Sequence, residues 1–342
     1  MQADTAPLIT AVVATYNEER HIAECLAGLR SQVDLPGSLE ILVVDGGSTD
    51  HTVEIVRALA AGDARIRLLD NPGRYQVFAW NIGTREARGH FVAFCSAHTD
   101  YASDYLARCY DAQRRTGAAN VGGVQTPVGD GLIGKSIALA MQSPFGVGNA
   151  HFRYSSDERF VDTVFGDFFE RRVLLDLGGY DETVVFNEDS ELNYRLRQAG
   201  YRILLSPTIR VNYHVRESIP ALMRQMFRYG FWRRRTQLEH PRFVPWRIMA
   251  PPLLVLGLVF SLIGAVLLRS WWWLALPAIY TLFTVVAALV IGMQRRTLLP
   301  ALCLLFVLPA MHIAYGLGWW NGFFVHRKRG VRGSLSRARA AS

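Results

Sequence analysis

Cysteine is scarce in this 342-residue chain. The four present, Cys25, Cys95, Cys109 and Cys303, have no paired spacing. That excludes a disulfide scaffold and a cysteine zinc cluster. Lysine is nearly missing: Lys135 and Lys328 stand against 35 arginines, a bias to which we attach no functional meaning. Negative charge disappears altogether after Glu239. Residues 1–239 carry 26 basic side chains against all 29 acidic ones, whereas residues 240–342 carry eleven basic side chains and no acidic one. The formal net charge of +8 therefore belongs to the C-terminal part. There it borders long apolar runs, which argues for a membrane and against nucleic acid as the partner. Half the chain is apolar, which excludes a disordered protein. The opening segment, MQADTAPLIT, has neither a basic start nor an apolar core. It is not a signal peptide, and the first domain is expected to stay in the cytosol.

The apolar runs come late. Residues 250–268 and 271–293 are each long enough to cross a hydrocarbon core of about 30 Å at ~1.5 Å per residue. Only Arg269 and Ser270 separate them, so a tight hairpin is expected, with Trp271, Trp272 and Trp273 at the interface. Residues 298–325 form a third apolar element, in which Pro309, Gly316 and Gly318 suggest a re-entrant break. Residues 219–238 alternate Leu222, Met226, Phe227, Phe231 and Trp232 with five arginines, the pattern of an amphipathic helix on an anionic membrane face. The expected organisation is a domain over 1–218, an interfacial helix and linker over 219–247, transmembrane helices over 248–326 and a basic tail over 327–342.

The first 218 residues read as α/β. Buried strands are expected at 8–14, 39–44, 66–69 and 91–94, with helix-like segments between them. Strand–helix–strand order implies a Rossmann-like, mostly parallel open sheet covered on both faces. Ligands bind at the carboxyl ends of such strands, which points to residues 15–18, 45–48 and 96–100. Residues 127–160, rich in Gly, Pro and Ser, read as a mobile loop over that site. Residues 187–199 read as a helix capped by Asn187.

Two strand ends carry chemistry. Thr15-Tyr16-Asn17-Glu18 closes the first strand, and Asp45-Gly46-Gly47-Ser48-Thr49-Asp50 closes the second. Backbone amides and small residues there suit a nucleotide, and the Asp45 carboxylate can accept a hydrogen bond from a base or ribose. Further on come Asn81-Ile82-Gly83, Ala87-Arg88-Gly89-His90, Gly178-Gly179-Tyr180-Asp181-Glu182, Asn187-Glu188-Asp189-Ser190-Glu191-Leu192 and Gln225-Met226-Phe227-Arg228-Tyr229.

These segments resemble the family 2 glycosyltransferases of GT-A fold, in particular their succinoglycan-type bacterial exopolysaccharide branch. The resemblance covers roughly residues 8–240 and the apolar tail. It implies a GT-A catalytic domain with a C-terminal α-helical transmembrane region in a bacterial plasma membrane, the domain facing the cytosol. It also implies an inverting transfer of sugar from a nucleotide-diphosphate donor, expected to be UDP-linked, to a hydroxyl of a lipid-linked or polysaccharide acceptor. Asp189, early in its helix, is the expected general base, since the helix dipole favours its ionised form. Glu188, rotated ~100° away on the helix, and Asp167 are the expected acceptor contacts. Thr15, Tyr16, Glu18, Asp45, Ser96, Arg224 and Arg228 are expected to hold the donor; the two arginines, four apart, share a helix face.

One departure bears on the cofactor. Where the family has D-x-D at the end of its fourth strand, this chain has Ser96-Ala97-His98, followed by Thr99-Asp100. A divalent metal, Mg²⁺ or Mn²⁺, is expected on His98 and Asp100, with a metal-free enzyme as the alternative. Two other functional readings stand beside the main one: a polyprenyl-phosphate sugar synthase, and a non-catalytic membrane scaffold that binds nucleotide sugar. Residues 129–136, GDGLIGKS, fit the P-loop pattern. Pro127 before them and Pro144 after them argue against the strand and helix a P-loop requires.

Overall fold

The computed structural model describes residues 7–148, 150–239 and 246–326. It divides into two compact units, one of residues 1–126 and 151–213, the other of residues 127–150 and 214–342.

The first unit is built on β1 (Ile9–Thr15), β2 (Leu39–Asp45), β3 (Ile66–Asp70), β4 (Phe91–Ser96), β5 (Asn120–Val128), β6 (Arg159–Phe160), β7 (Phe165–Glu170) and β8 (Ile203–His214). Their order in the single sheet is β3-β2-β1-β4-β7-β5-β8-β6. The first four are parallel, and β7 runs antiparallel to both β4 and β5. Alternation along β1 explains the two layers of helix. Ile9, Ala11 and Val13 pack with α1 (Ile22–Arg30), α2 (Thr52–Gly62) and α4 (Tyr105–Thr116), whose spacing of Ile22, Cys25, Leu26 and Leu29 makes one apolar face. Val12 points the other way, with Leu42, Val92 and Phe94, onto α3 (Gln76–Glu86), α7 (Arg171–Asp176) and α8 (Glu188–Gln198). The four parallel strands fall where the apolar runs predict them, one or two residues longer at their C-terminal ends.

The second unit holds α5 (Gly131–Met141), α6 (Pro144–Val147), α9 (Ile219–Glu239), α10 (Trp246–Leu267), α11 (Ala275–Arg295), α12 (Leu299–Leu302) and α13 (Leu304–His326). Three of its helical stretches, Ile248–Leu267, Trp271–Arg295 and Leu299–Val325, are long and apolar enough to cross a membrane. α10 and α11 form the expected hairpin through a 3-10 turn at Trp271–Leu274.

Several expectations are corrected here. The third apolar element is interrupted at Cys303, between α12 and α13, and not at the expected residues: α13 runs through Pro309, Gly316 and Gly318. Its glycines are sites of close approach. A Cβ on Gly316 would meet the Pro251 carbonyl at 2.6 Å, and one on Gly318 would collide with the Phe227 carbonyl. α9 accordingly packs along α13, so one of its faces is covered by protein. Residues 127–160 are not one long loop, because 131–141 has enough helical apolar spacing to bury Ile137, Ala140 and Met141. β5 continues past Pro127, whose missing N–H is tolerated one residue before the strand ends. A strand and a helix thus do flank GDGLIGKS. The helix begins at Gly131, however, so Gly134, Lys135 and Ser136 lie inside it. Ser136 is buried and donates its hydroxyl to the Leu132 carbonyl at 2.7 Å. No loop of free amides is left to cradle a phosphate. The basic tail at 327–342 lies outside the described residues.

Candidate active site

The parallel register brings three strand ends to one rim. Thr15 pairs with Asp45, and Ala14 with Ser96. At the end of β2, the buried Asp45 carboxylate organises its own turn. Oδ2 accepts the Gly47 and Ser48 amides, both at 2.9 Å, and Oδ1 accepts the Ser48 hydroxyl at 2.5 Å. Gly46 donates its amide to the Thr15 carbonyl at 2.8 Å, and a Cβ there would sit 2.9 Å from the Arg74 carbonyl. Only glycine fits between the two strand ends without displacing backbone. The Thr15 hydroxyl is buried with no hydrogen-bond partner among the described residues, a polar atom held ready at the rim. Tyr16 beside it is exposed.

The loop after β1 is fixed from the β2 side. The Asn17 amide donates to the Ser48 hydroxyl at 2.9 Å, the Thr49 amide to Asn17 Oδ1 at 2.8 Å, and the Glu18 amide to the Thr52 hydroxyl at 2.8 Å. The Glu18 side chain then reaches across to the end of β4. Its Oε1 lies 3.1 Å from Nδ1 of His98, and the Ser96 hydroxyl lies 3.2 Å from His98 Nε2. The sequence pattern gives Glu18 and His98 separate roles; the structure joins them. Asp100, two residues further, is exposed. Among the described residues no group of three or more His, Cys, Asp or Glu is gathered to hold a metal ion.

A second cluster gathers around Asp167 on β7. Extending the antiparallel β4–β7 register by one residue sets Asp167 beside Phe94, two residues before Ser96, so the cluster belongs to the same end of β4. Asp167 is buried. Asn120 donates its Nδ2 to Asp167 Oδ1 at 2.7 Å and to Asn193 Oδ1 at 2.9 Å, and the Tyr180 hydroxyl lies 3.5 Å from Asp167 Oδ2. Burial, then the neighbouring Asp189 charge, pushes the Asp167 carboxyl up to about 7. Glu188, the first residue of α8, is pushed up to about 8 by burial and by the same neighbour. Asp189 is the second residue of that helix and is half-buried. The sequence expectation separates Glu188 from Asp189 by helical rotation; in the structure the Asp189 charge raises both Glu188 and Asp167. Asn187 stands at the N-cap position as expected, but with φ of 59° and no side-chain cap hydrogen bond, so its carbonyl alone receives the first turn.

What holds α8 in place was only partly legible. Asn81 on α3 accepts the Tyr180 amide at 2.8 Å and donates to the Tyr180 carbonyl at 2.9 Å and to Glu182 at 3.0 Å. Gly179, with φ of +74°, lets that turn close, since a Cβ would lie 2.5 Å from Asn81 Oδ1. Glu191 takes Arg195 at 2.6 Å, and Arg195 reaches the Leu177 and Gly179 carbonyls at 2.8 and 2.7 Å. Gly179 and Glu191 are thus parts of one latch. Sequence reasoning missed Asn120, Tyr180 and Asn193 around the carboxylates. The available signals were a polar residue opening an apolar strand at Asn120 and the place of Tyr180 within the segment of residues 178–182. Arg224 and Arg228 lie in the second unit, exposed and four residues apart on α9.

Comparison with known proteins agrees with this architecture. The profile of Glycosyl transferase family 2 matches residues 10–172, and that of Glycosyl transferase family group 2 matches residues 98–319. The succinoglycan biosynthesis protein ExoA of Rhizobium meliloti (strain 1021) is 32% identical over 327 residues, 93% of this chain and 96% of that one. The chain is a family 2 glycosyltransferase. A second relative of this glycosyltransferase is the dolichyl N-acetyl-alpha-D-glucosaminyl phosphate 3-beta-D-2,3-diacetamido-2,3-dideoxy-beta-D-glucuronosyltransferase of Methanococcus voltae, 26% identical over 230 residues, 65% of this chain and 71% of that one. Among solved structures, the mannosyltransferase of Pyrobaculum calidifontis in complex with GDP-Man and Mn²⁺ superposes with a TM-score of 0.61 at 21% identity, over 94% of this chain and 88% of that one. The fold of the glycosyltransferase is GT-A, an eight-stranded sheet domain followed by apolar helices.

Proposed function

We propose that this glycosyltransferase is a membrane-anchored, inverting enzyme. It moves a sugar from a nucleotide-diphosphate donor, UDP-linked, to a hydroxyl of a lipid-linked or polysaccharide acceptor. The observation that carries the proposal is the meeting, at one end of β4, of two unlike sites: a rim of small residues and an unpartnered Thr15 hydroxyl, and a set of carboxylates led by Asp189. The first suits a nucleotide, the second an alcohol that must lose a proton.

In this reading Thr15, Tyr16, Asp45 and Ser96 line the donor site, and Glu18 sits at its edge. Asp189 takes the proton of the acceptor hydroxyl as the oxygen attacks the anomeric carbon from the side opposite the leaving nucleoside diphosphate, so configuration inverts. Asp167 and Glu188 face the acceptor. Burial and the neighbouring Asp189 raise the proton affinity of both, which keeps part of the negative charge off the cluster. His98 and Asp100 are the expected holders of a divalent metal, which would neutralise charge on the departing diphosphate.

Lipid-linked acceptors are supported by the relatives. One is named for succinoglycan biosynthesis, and the other acts on a sugar already carried by a dolichyl phosphate. Three apolar helices in the same chain fit an enzyme whose acceptor lies at a membrane, with the catalytic domain on the cytosolic side. The test is a screen of nucleotide sugars with the detergent-purified full chain and an undecaprenyl-diphosphate-linked sugar, with Mn²⁺, with Mg²⁺ and with chelator. Release of UDP with transfer, and a product linkage of opposite anomeric configuration to the donor, is the expected result. No transfer from any donor under any of the three conditions would refute the proposal.

A further inference from the structure

The end of β4 presents a problem of charge. A site for a diphosphate and a divalent ion needs anionic oxygen close to the phosphates. The strand end offers Ser96, which carries none, and His98, a neutral ligand when it binds metal; the carboxylate beyond them, Asp100, is exposed. The missing charge comes from another strand. Glu18 enters from the loop after β1 and places Oε1 at 3.1 Å from His98 Nδ1. Its position is not accidental to a floppy loop. The Glu18 amide is held by Thr52 at 2.8 Å, its carbonyl accepts the His21 and Ile22 amides at 2.9 Å each, and the preceding Asn17 is tied to Ser48 and Thr49. The side chain is 21% exposed, open enough to reach a ligand.

The spacing fits a shared ion. Neighbouring ligands of an octahedral Mg²⁺ at about 2.1 Å stand about 3.0 Å apart. The Glu18 oxygen and the His98 nitrogen are already at such a separation. Two protein ligands are too few to hold the ion alone, which agrees with the lack of a three-residue cluster among the described residues. Small divalent ions at phosphate sites keep waters and take one or two protein groups plus substrate phosphates.

Resting on the nucleotide-diphosphate reading above, we propose that Glu18, in place of the Asp100 expected from the sequence, is the anionic metal ligand of this glycosyltransferase. With His98 it forms a two-residue cation site between the ends of β1 and β4, completed by the donor's diphosphate oxygens. Glu18 thereby replaces, from a different strand, the carboxylate that position 96 lacks.

The experiment is Mn²⁺ binding to the detergent-purified full chain, read by the loss of the free-ion electron paramagnetic resonance signal, with and without UDP. UDP binding is measured separately by equilibrium dialysis in chelator. In the wild type, Mn²⁺ is expected to bind tightly only when UDP is present. Glu18→Gln should weaken Mn²⁺ binding by about tenfold or more at UDP concentrations that saturate the variant in chelator, with the thermal transition kept. Adding Ser96→Asp to Glu18→Gln should restore Mn²⁺ binding, because it returns a carboxylate to the other side of His98. Wild-type Mn²⁺ affinity in Glu18→Gln overturns the assignment, as does tight Mn²⁺ binding without UDP. A wild-type chain that binds no UDP removes the donor reading itself, a result distinct from UDP binding with Mn²⁺ indifferent to Glu18.

Discussion

Asn120 and Asp167 meet across two neighbouring strands, Nδ2 to Oδ1 at 2.7 Å, and both side chains are buried. That contact leaves Asp167 one good donor where an ionised carboxylate in water would have several. Its carboxyl is pushed up to about 7, chiefly by burial.

A pH dependence of stability follows. Below pH ~4 Asp167 is protonated in the folded and unfolded chains alike. From there to about 7 the unfolded chain gives up the proton and the folded chain retains it, so rising pH favours unfolding. Glu188, pushed up to about 8, acts in the same direction and extends the window upward. Asp167→Asn keeps an acceptor for Asn120 and removes the penalty of ionisation. The thermal midpoint of Asp167→Asn relative to wild type should therefore rise between about pH 4 and about pH 7 and level off above it. A constant difference across that range would contradict the raised carboxyl.

Asp189→Asn should lower kcat by roughly 10² to 10⁴-fold, the usual loss on removing a general base. The thermal midpoint and the KM for donor should stay close to wild type. Glu188→Gln, one residue away on the same turn, should cost less. Steady-state transfer assays on both variants decide the order. A larger loss at Glu188 would move the base to that residue.

Asn81 offers a purely structural test. Three hydrogen bonds from one buried amide hold Tyr180 and Glu182 against α3. Asn81→Ala leaves the Tyr180 amide and carbonyl without partners in a dry environment. At about 1–3 kcal/mol per stranded group, the cost should be about 2–4 kcal/mol. Denaturant unfolding followed by tryptophan fluorescence measures it. A loss below ~1 kcal/mol would mean that the turn is held by Arg195 alone.

The residues at strand ends were legible because a buried parallel strand is a nearly unbroken apolar run, and its end is abrupt. Ala14 followed by Thr15-Tyr16, and Val44 followed by Asp45-Gly46, mark the rim directly. The start of α8 and its acidic first turn, Glu188 and Asp189 included, were legible as well. The Glu18–His98 contact was not, since 80 residues separate the two and only the β1–β4 pairing brings them together. Asn120 escaped for a similar reason: its partners come from β7 and α8. The glycines of α13 were misread. Glycine in an apolar run signals a break when the helix stands alone, and a contact when another backbone lies against it.

That last point gives the strongest test of the second unit. Gly230 of α9 faces the backbone of Tyr315 and Trp319, while Gly318 and Gly322 of α13 face the Phe227 and Phe231 carbonyls. Each glycine is placed where a Cβ would strike backbone, which cannot rotate away as a side chain can. Arg234 lies over the Trp319 ring at 4.6 Å, and Trp319 donates its indole N–H to Gln237 at 2.8 Å, so the seam continues for several turns. Gly318→Leu should force the two helices apart and cost about 1–3 kcal/mol or more. Leu317→Ala, one residue away at an exposed position, should change stability by less than ~0.5 kcal/mol. Thermal unfolding of the detergent-purified variants compares them. Equal midpoints for the two would mean that α9 does not depend on α13 for its place, and that the glycines owe their presence to something other than this seam.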